Sequence, residues 1–297
     1  MLYVKPDFYD DFRCIADKCR HSCCLGWEID IDEDSLSRFM AVEGEFGDYM
    51  RRSIDLEPTP HFVLGTDERC PFLQSNGLCR MILTLGEDSL CDICREHPRF
   101  YNELPGRVEA GLGLSCEEVC RLVREGTEHL SFVAEGEDEG IEDGILSLRD
   151  EIFAILREDS LSLTARMEKA MGLFGMELLP FDAKTIAKFY LGLERLEQDW
   201  TKKLQALAGF ARELEPTLSS ISYARLAEYF IYRHFAVAAD EYEAALRLQF
   251  AFLSTRMICA MDMITGDYDA TRLYSAEIEY SDENVELVLD WLDENNI

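Results

Sequence analysis

The chain has 297 residues, 59 acidic and 29 basic side chains, and a formal net charge of −30. Hydrophobic residues make up 47% and aromatics 11%, enough for a packed core, which excludes global disorder. Acid exceeds base on both sides of residue 130, so no basic half offers a phosphate-binding surface, and nucleic acid and anionic membranes are excluded as partners.

The chain opens MLYVKPDFYDDF, which lacks the basic and apolar regions of a secretory signal. No run of about 18 apolar residues follows to cross a bilayer. A cytoplasmic, reducing setting is expected, so clustered cysteines read as metal ligands or redox groups in preference to disulfides. Residues 1–126 hold ten of the eleven cysteines and six of the eight prolines, in short punctuated segments. Residues 34–50 are compatible with a helix carrying Leu36, Phe39, Met40 and Phe46 on one face. Before it, Glu28, Asp30 and Asp32 fall at strand spacing on one side. Residues 57–65, with Pro58 and Pro60, read as loop or edge strand. Residues 116–128 form an amphipathic helix with Val119, Leu122 and Val123 together.

The stretch EGEDEGIEDG at 135–144 reads as a solvated acidic linker. Beyond it the pattern is helical. Ile145, Leu148, Ile152, Ile155 and Leu156 recur at three- and four-residue steps, and residues 160–174 repeat the pattern. Asp182 is placed to cap a helix over 183–207. Residues 222–265 contain neither proline nor glycine. A single helix of that length would span roughly 60 Å, so a break inside it is expected. Residues 246–265 read as a buried helix, interrupted by Arg247, Gln249, Arg256 and Asp262. The aromatics Tyr223, Tyr229, Phe230, Tyr232, Phe235 and Tyr242 lie at helical spacings, as core residues do, though such a set also suits an aromatic wall for an adenine or an alkylammonium. Residues 281–295 form a short acidic helix. The fold class is therefore mainly α: an irregular cysteine-rich metal-binding domain with a little β over residues 1–130, then a helical bundle over 145–297.

The cysteines fall into three groups: Cys14, Cys19, Cys23 and Cys24; Cys70 and Cys79 followed by Cys91-x2-Cys94; and Cys116 with Cys120. Thiolates are soft ligands suited to zinc or iron–sulfur clusters. Short spacings let one loop offer two ligands at low chain entropy, and CxxC is the usual two-ligand bite. Neighbouring side chains diverge, so of Cys23 and Cys24 one is placed to bind and the other to pack. His21 and His97 stand beside the cysteines as further ligand candidates. Glu109-Ala110-Gly111-Leu112-Gly113 faintly echoes a nucleotide-binding glycine turn, but no alternating strand–helix series surrounds it, so it reads as a turn before the Cys116 helix. No HExxH, GxSxG or GxxxxGK[ST] motif occurs.

Three segments carry a resemblance. KPDFYDDFRCIADKCRHSCCLGWEIDID, CPFLQSNGLCRMILTLGEDSLCDICREHPRF and LSCEEVCRLV together resemble the flagellin lysine-N-methylase family over residues 3–125. The resemblance implies methyl transfer from S-adenosylmethionine to lysine side chains of flagellin or another lysine-bearing protein. It also implies an iron–sulfur cluster, of the 4Fe-4S type or replaced by zinc on purification, held by the cysteine domain. Carried over by position, the metal ligands are Cys14, Cys19, Cys23, Cys24, Cys70, Cys79, Cys91, Cys94 and Cys116. Cys120 stands where a small apolar residue is expected, His97 where the family has Tyr, and Glu117 where it has Pro. For such a transfer Asp30, Asp32 and Tyr101 are candidates to accept the lysine proton. Arg95 and Arg99 are candidates to hold the S-adenosylmethionine carboxylate, or to pair with nearby acids. The alternative function is a non-catalytic zinc or iron–sulfur module for interaction or redox sensing.

Overall fold

The computed structural model describes residues 1–295 apart from 138, 142, 211–215, 217, 267 and 268. Two residues of the expected acidic linker, Asp138 and Glu142, thus lie outside the described residues. The chain is mostly helical and forms two compact units, each assembled from separate stretches. One comprises residues 13–100 with 116–118; the other comprises residues 1–12, 101–115 and 119–297. A division drawn along the chain keeps residues 1–130 together. The compact units follow pairing in space instead, because β1 (Leu2–Pro6) joins strands from residues 107–112 and 132–136.

The cysteine unit is built from short elements. Helices α1 (Glu33–Met40) and α2 (Gly44–Arg52) occupy the stretch read as one helix. The break falls before Gly44, whose φ of +78° favours glycine. The small strands β2 (Ile54–Asp55) and β3 (His61–Phe62) pair antiparallel around the Pro58–Pro60 turn. Helices α3 (Arg80–Leu85) and α4 (Asp92–Glu96) follow. Ile29, Ile31, Phe39, Met50, Phe62, Phe72 and Met81 form the core of this unit. The strand-like alternation over 28–31 is real: Ile29 and Ile31 are buried, while Glu28 and Asp30 are exposed.

The other unit carries a four-stranded sheet in the order β4-β5-β1-β6, with β4 (Arg99–Leu104), β5 (Arg107–Leu112) and β6 (Phe132–Gly136). β1 pairs parallel with β5, Leu2 opposite Arg107, and antiparallel with β6, Pro6 opposite Phe132. The segment read as a glycine turn is therefore mostly strand: Glu109 to Leu112 lie in β5, and only Gly113 lies beyond it. Its conformation is fixed by burial. Glu109 is fully buried and meets Arg149 through two bonds of 2.6 Å, and Arg107 at 2.8 Å.

Helix α5 (Glu117–Arg124) buries Val119 and Val123, as its spacing predicts. Then come α6 (Gly144–Leu156), α7 (Leu163–Met171), α8 (Ala183–Tyr190), α9 (Gln198–Ala208), α10 (Ile221–His234), α11 (Glu241–Thr265), α12 (Ala270–Tyr274) and α13 (Asp282–Asn295). Asp182 caps α8 through the N–H groups of Lys184 and Thr185, but the helix stops at Tyr190 and α9 starts afresh. The long stretch from residue 222 breaks between α10 and α11, where Asp240 accepts from Glu243 N at 2.9 Å. Helix α11 is buried on every side from Ala244 to Asp262 and packs against α7, α9, α10, α12 and α13, as an all-round apolar helix must. Tyr223, Tyr229, Phe230, Tyr232 and Phe235 are core residues, and Tyr242 is exposed.

Breaking a buried ion pair leaves one charge uncompensated. Glu109→Ala is therefore expected to destabilise the protein by about 3–5 kcal/mol. Urea unfolding checks this; a change below about 1 kcal/mol would show that the Glu109–Arg149 pair does not anchor the sheet.

Candidate functional site

Backbone pairing brings the scattered cysteines of the first unit together. Cys70 N–H donates to Cys24 O at 2.9 Å, Gly26 N–H to Glu68 O at 3.1 Å, and Leu25 and Arg69 form an antiparallel bridge. This seats the Cys-Cys segment beside Cys70. A second loop doubles back at Gly77, where Leu73 bridges Cys79 and Arg80 N–H donates to Phe72 O at 2.7 Å. Cys79 thereby becomes the N-cap residue of α3, and Cys91 the N-cap of α4 with Cys94 one turn further on. Helix N-termini favour thiolates because their N–H groups point at the sulfur. Here Ile82 and Met81 N–H face Cys79, and Cys94 N–H faces Cys91.

One carboxylate ties this arrangement together. Asp32 Oδ1 accepts from Ser35 N at 2.8 Å and Oδ2 from Asp92 N at 3.0 Å, so it caps α1 and holds the start of α4. Burial works against its charge, yet these N–H bonds outweigh it and bring its pKa down to about 2. Cys70 and Cys91 lie in the apolar core, and Cys24, Cys79 and Cys94 pack against that core.

The thiols also touch one another. Hydrogen bonds from Cys23 and then Cys70 hold Cys24 down at about 3, with Ser22 assisting. Cys91 is likewise lowered, first by the Cys94 thiol. The donors Cys23, Cys70 and Cys94 are pushed up by those same bonds and by burial. Burial raises Cys79, against the opposing N–H groups. His97 is lowered by burial, with Cys24 opposing, and its ring lies 6.0 Å from Trp27. The Trp27 indole donates to Cys23 O at 2.6 Å.

A second set lies nearer the surface. Cys14 and Cys23 are exposed, and Cys19 and Cys116 are half-buried. Cys23 feels the charges of both Cys14 and Cys116, and Cys19 feels that of Cys14. Glu117 organises this set. Its carboxylate accepts from Arg20 N at 2.9 Å and Arg20 Nε at 2.8 Å, with Cys19 Sγ at 3.8 Å. Burial raises the Glu117 pKa, but the Arg20 bonds prevail and lower it. Cys120 belongs to the other unit, where its thiol donates to Leu114 O at 2.9 Å.

The eleven cysteines are not joined in disulfides. Among the described residues, no three His, Cys, Asp or Glu side chains already surround a common point as metal ligands do. The donor chemistry suits a thiophilic metal, with five thiols at one apolar core and four nearer the surface; thiol–thiol hydrogen bonds join several of them.

The remaining candidates have definite places. Asp30 is exposed and its backbone bridges His61. Asp32 is committed to helix capping. Tyr101 is 45% exposed in β4 and belongs to the sheet-bearing unit, whereas Asp30 and Asp32 belong to the cysteine unit. Arg95 pairs with Asp92 and Glu96, and Arg99 donates to Arg95 O at 3.4 Å. The Glu117–Arg20 pair could not be read from the sequence, because 97 residues separate the partners.

Three comparisons with known proteins bear on this site. The chain is 29% identical over 130 residues to the Lysine-N-methylase of Salmonella choleraesuis, a match covering 39% of this chain and 31% of that protein. The Lysine-N-methylase of Salmonella typhimurium matches to the same extent. The Flagellar biosynthetic protein FliU of Salmonella muenchen is 28% identical over 123 residues, covering 39% of this chain and 73% of that one. The chain thus spans about a third of the length of the curated methylases it matches. No family model and no solved structure matches it.

Removing both caps at once with Asp32→Ala is expected to cost about 1–2 kcal/mol at neutral pH. Because the folded-state pKa lies below the ordinary carboxylate value of 3.8, this contribution is fully present above roughly pH 5. It is lost as pH falls through about 2. Urea unfolding of wild type and variant across pH 2–7 checks it; a gap between the two that widened on acidification would contradict the capping role.

Proposed function

We propose that this chain is a protein-lysine N-methyltransferase, using S-adenosylmethionine and acting on flagellin or another lysine-bearing protein, with an iron–sulfur cluster held by its cysteines. The observation that carries the reading is the similarity to two Lysine-N-methylases in a chain whose structure brings five thiols to one core. The FliU name of the third relative supports a flagellar substrate. Cys24, Cys70, Cys79, Cys91 and Cys94 are the residues that would hold the cluster. Held there, a cluster would supply one-electron chemistry.

The chain's own residues must solve a proton problem. A lysine amine with a pKa near 10.4 is protonated and not nucleophilic at neutral pH, so a base must remove its proton. Asp30 and Tyr101 are exposed candidates for that base, whereas Asp32 is held by two backbone N–H groups. The charge of −30 draws a cationic lysine-bearing surface toward the protein and speeds encounter. A structural zinc in a non-catalytic module is the second reading, favoured by the burial of Cys70 and Cys91 in the core, where a metal would brace the fold.

Protein purified without oxygen, incubated with S-adenosylmethionine and flagellin, is expected to add methyl groups to lysine by mass spectrometry. A cluster-loaded protein that methylates no lysine of flagellin or of other offered proteins would sink the methylase reading. Elemental analysis separates the metals: iron with sulfide supports the cluster, and stoichiometric zinc after anaerobic purification supports the second reading. Cys24→Ser and Cys91→Ser are each expected to lower bound metal at least several-fold, and Cys259→Ser to leave it unchanged. Equal metal content in all three would remove these thiols from the site.

A further inference from the structure

In the helical unit the loop after α5 is held by charged side chains. Arg225 of α10 donates through Nε to Val123 O at 2.6 Å and through Nη1 to Glu128 O at 2.5 Å. Arg157, just past α6, donates to Leu130 O at 2.7 Å. Glu228, fully buried on α10, accepts from Leu130 N at 2.8 Å. His129 stands among these contacts with its side chain 16% exposed. Its Nδ1 lies 2.7 Å from Glu228 Oε1, and its Nε2 lies 3.2 Å from Asp159 Oδ1 in the turn between α6 and α7.

Both ring nitrogens therefore face carboxylates. An ionised carboxylate only accepts, and a neutral imidazole carries one N–H, so the two bonds exist together only in the imidazolium. The two partners are unequal. The Glu228 side chain has no solvent exposure, whereas that of Asp159 is 70% exposed. Glu228 cannot exchange its partner for water and so retains the last proton at Nδ1, while Asp159 can turn to solvent. Other charges also face this group. Arg157 Nε lies 3.7 Å from Glu228 Oε1, Arg166 of α7 donates to Asp159 Oδ1 at 2.9 Å, and Arg225 feels both Asp7 and Glu228. The arginines stay charged across the neutral range, whereas a histidine changes charge there. The Glu228 bond, assisted by Asp159, holds the His129 pKa above its ordinary 6.5 against the effect of burial.

We propose that His129 is a proton-operated latch, which as the imidazolium ties the loop after α5 to α10 and to the α6–α7 turn together, and which on losing its Nε2 proton to solvent keeps Glu228 and releases Asp159. The bare Nε2 then presents a lone pair to the Asp159 carboxylate, which repels it. Asp159 also lines a hollow of about 580 Å³, with Ser162 at the start of α7 and Ser220 at the start of α10, so the latch fixes one wall of that hollow. Its contribution to stability is fully present below about pH 6.5 and is lost as the pH rises through the raised His129 value. The latch contains no cysteine and does not rest on the methylase reading.

Nitrogen-15 NMR of the imidazoles in the full chain tests it, the His129 signal being assigned by its loss in His129→Gln. The midpoint is expected above 6.5, with the neutral ring protonated on Nδ1. Asp159→Asn, at an exposed position, is expected to lower that midpoint by about half a pH unit or more. The Asp159 and Leu161 amides, bonded to Arg157 O and Glu158 O, report on the turn. Their hydrogen-exchange protection is expected to fall about threefold or more as the pH passes the midpoint, and to be independent of pH in His129→Gln. A midpoint at or below 6.5, a neutral ring protonated on Nε2, a midpoint unmoved in Asp159→Asn, or protection in wild type that ignores pH would overturn the proposal.

Discussion

Between residues 24–26 and 68–70 a few backbone bonds carry the cysteine unit. Cys70 N–H reaches Cys24 O, Gly26 N–H reaches Glu68 O, and the bridge between Leu25 and Arg69 lies between them. This antiparallel contact converts cysteines 46 residues apart into neighbours. Everything that follows is arranged around it: the Gly77 turn returns Cys79 to the Cys70 loop, and Asp32 holds the α4 start that presents Cys91 and Cys94. A thiol in an apolar setting resists ionisation, and the structure offsets that with thiol and N–H donors aimed at Cys24 and Cys91. Thiolates are the ligands that a soft metal recognises.

The second unit solves a different problem, that of burying charge. Glu109 meets Arg149 and Arg107, Asp262 meets Arg124 at 2.6 Å, and Glu279 meets His234 at 2.8 Å. Asp262 also accepts from the Tyr223 hydroxyl, and Glu279 also lies 3.5 Å from Arg233, as burial of charge demands. The π-helical turn Ser275–Glu279 contributes to this. It turns Glu277 inward to accept from Leu196 N and Glu197 N, and Glu279 toward His234. Tyr232 links the sheet to the helices by donating to Val4 O and Ala110 O.

Two features bear on the function of this chain. One is the partial similarity to two Lysine-N-methylases, and the other is the set of five thiols at one apolar core.

The sequence by itself determined the local structure and the list of chemical groups. Repeats of three and four residues placed α6, α7 and the α5 face, and Asp182 was legible as a cap, because such signals act between near neighbours along the chain. The cysteine spacing identified a soft-ligand region, and the lack of glycine and proline over residues 222–265 left a break there to be inferred from length alone. Only the tertiary structure decided which thiols share a core and that Asp32 caps two helices. It also assigned β1 and β5 to the helical unit and brought the starts of α7 and α10 to one hollow. Each of these joins groups tens of residues apart. Such contacts are selected by the burial and hydrogen bonding of the whole chain, which no local window of sequence contains.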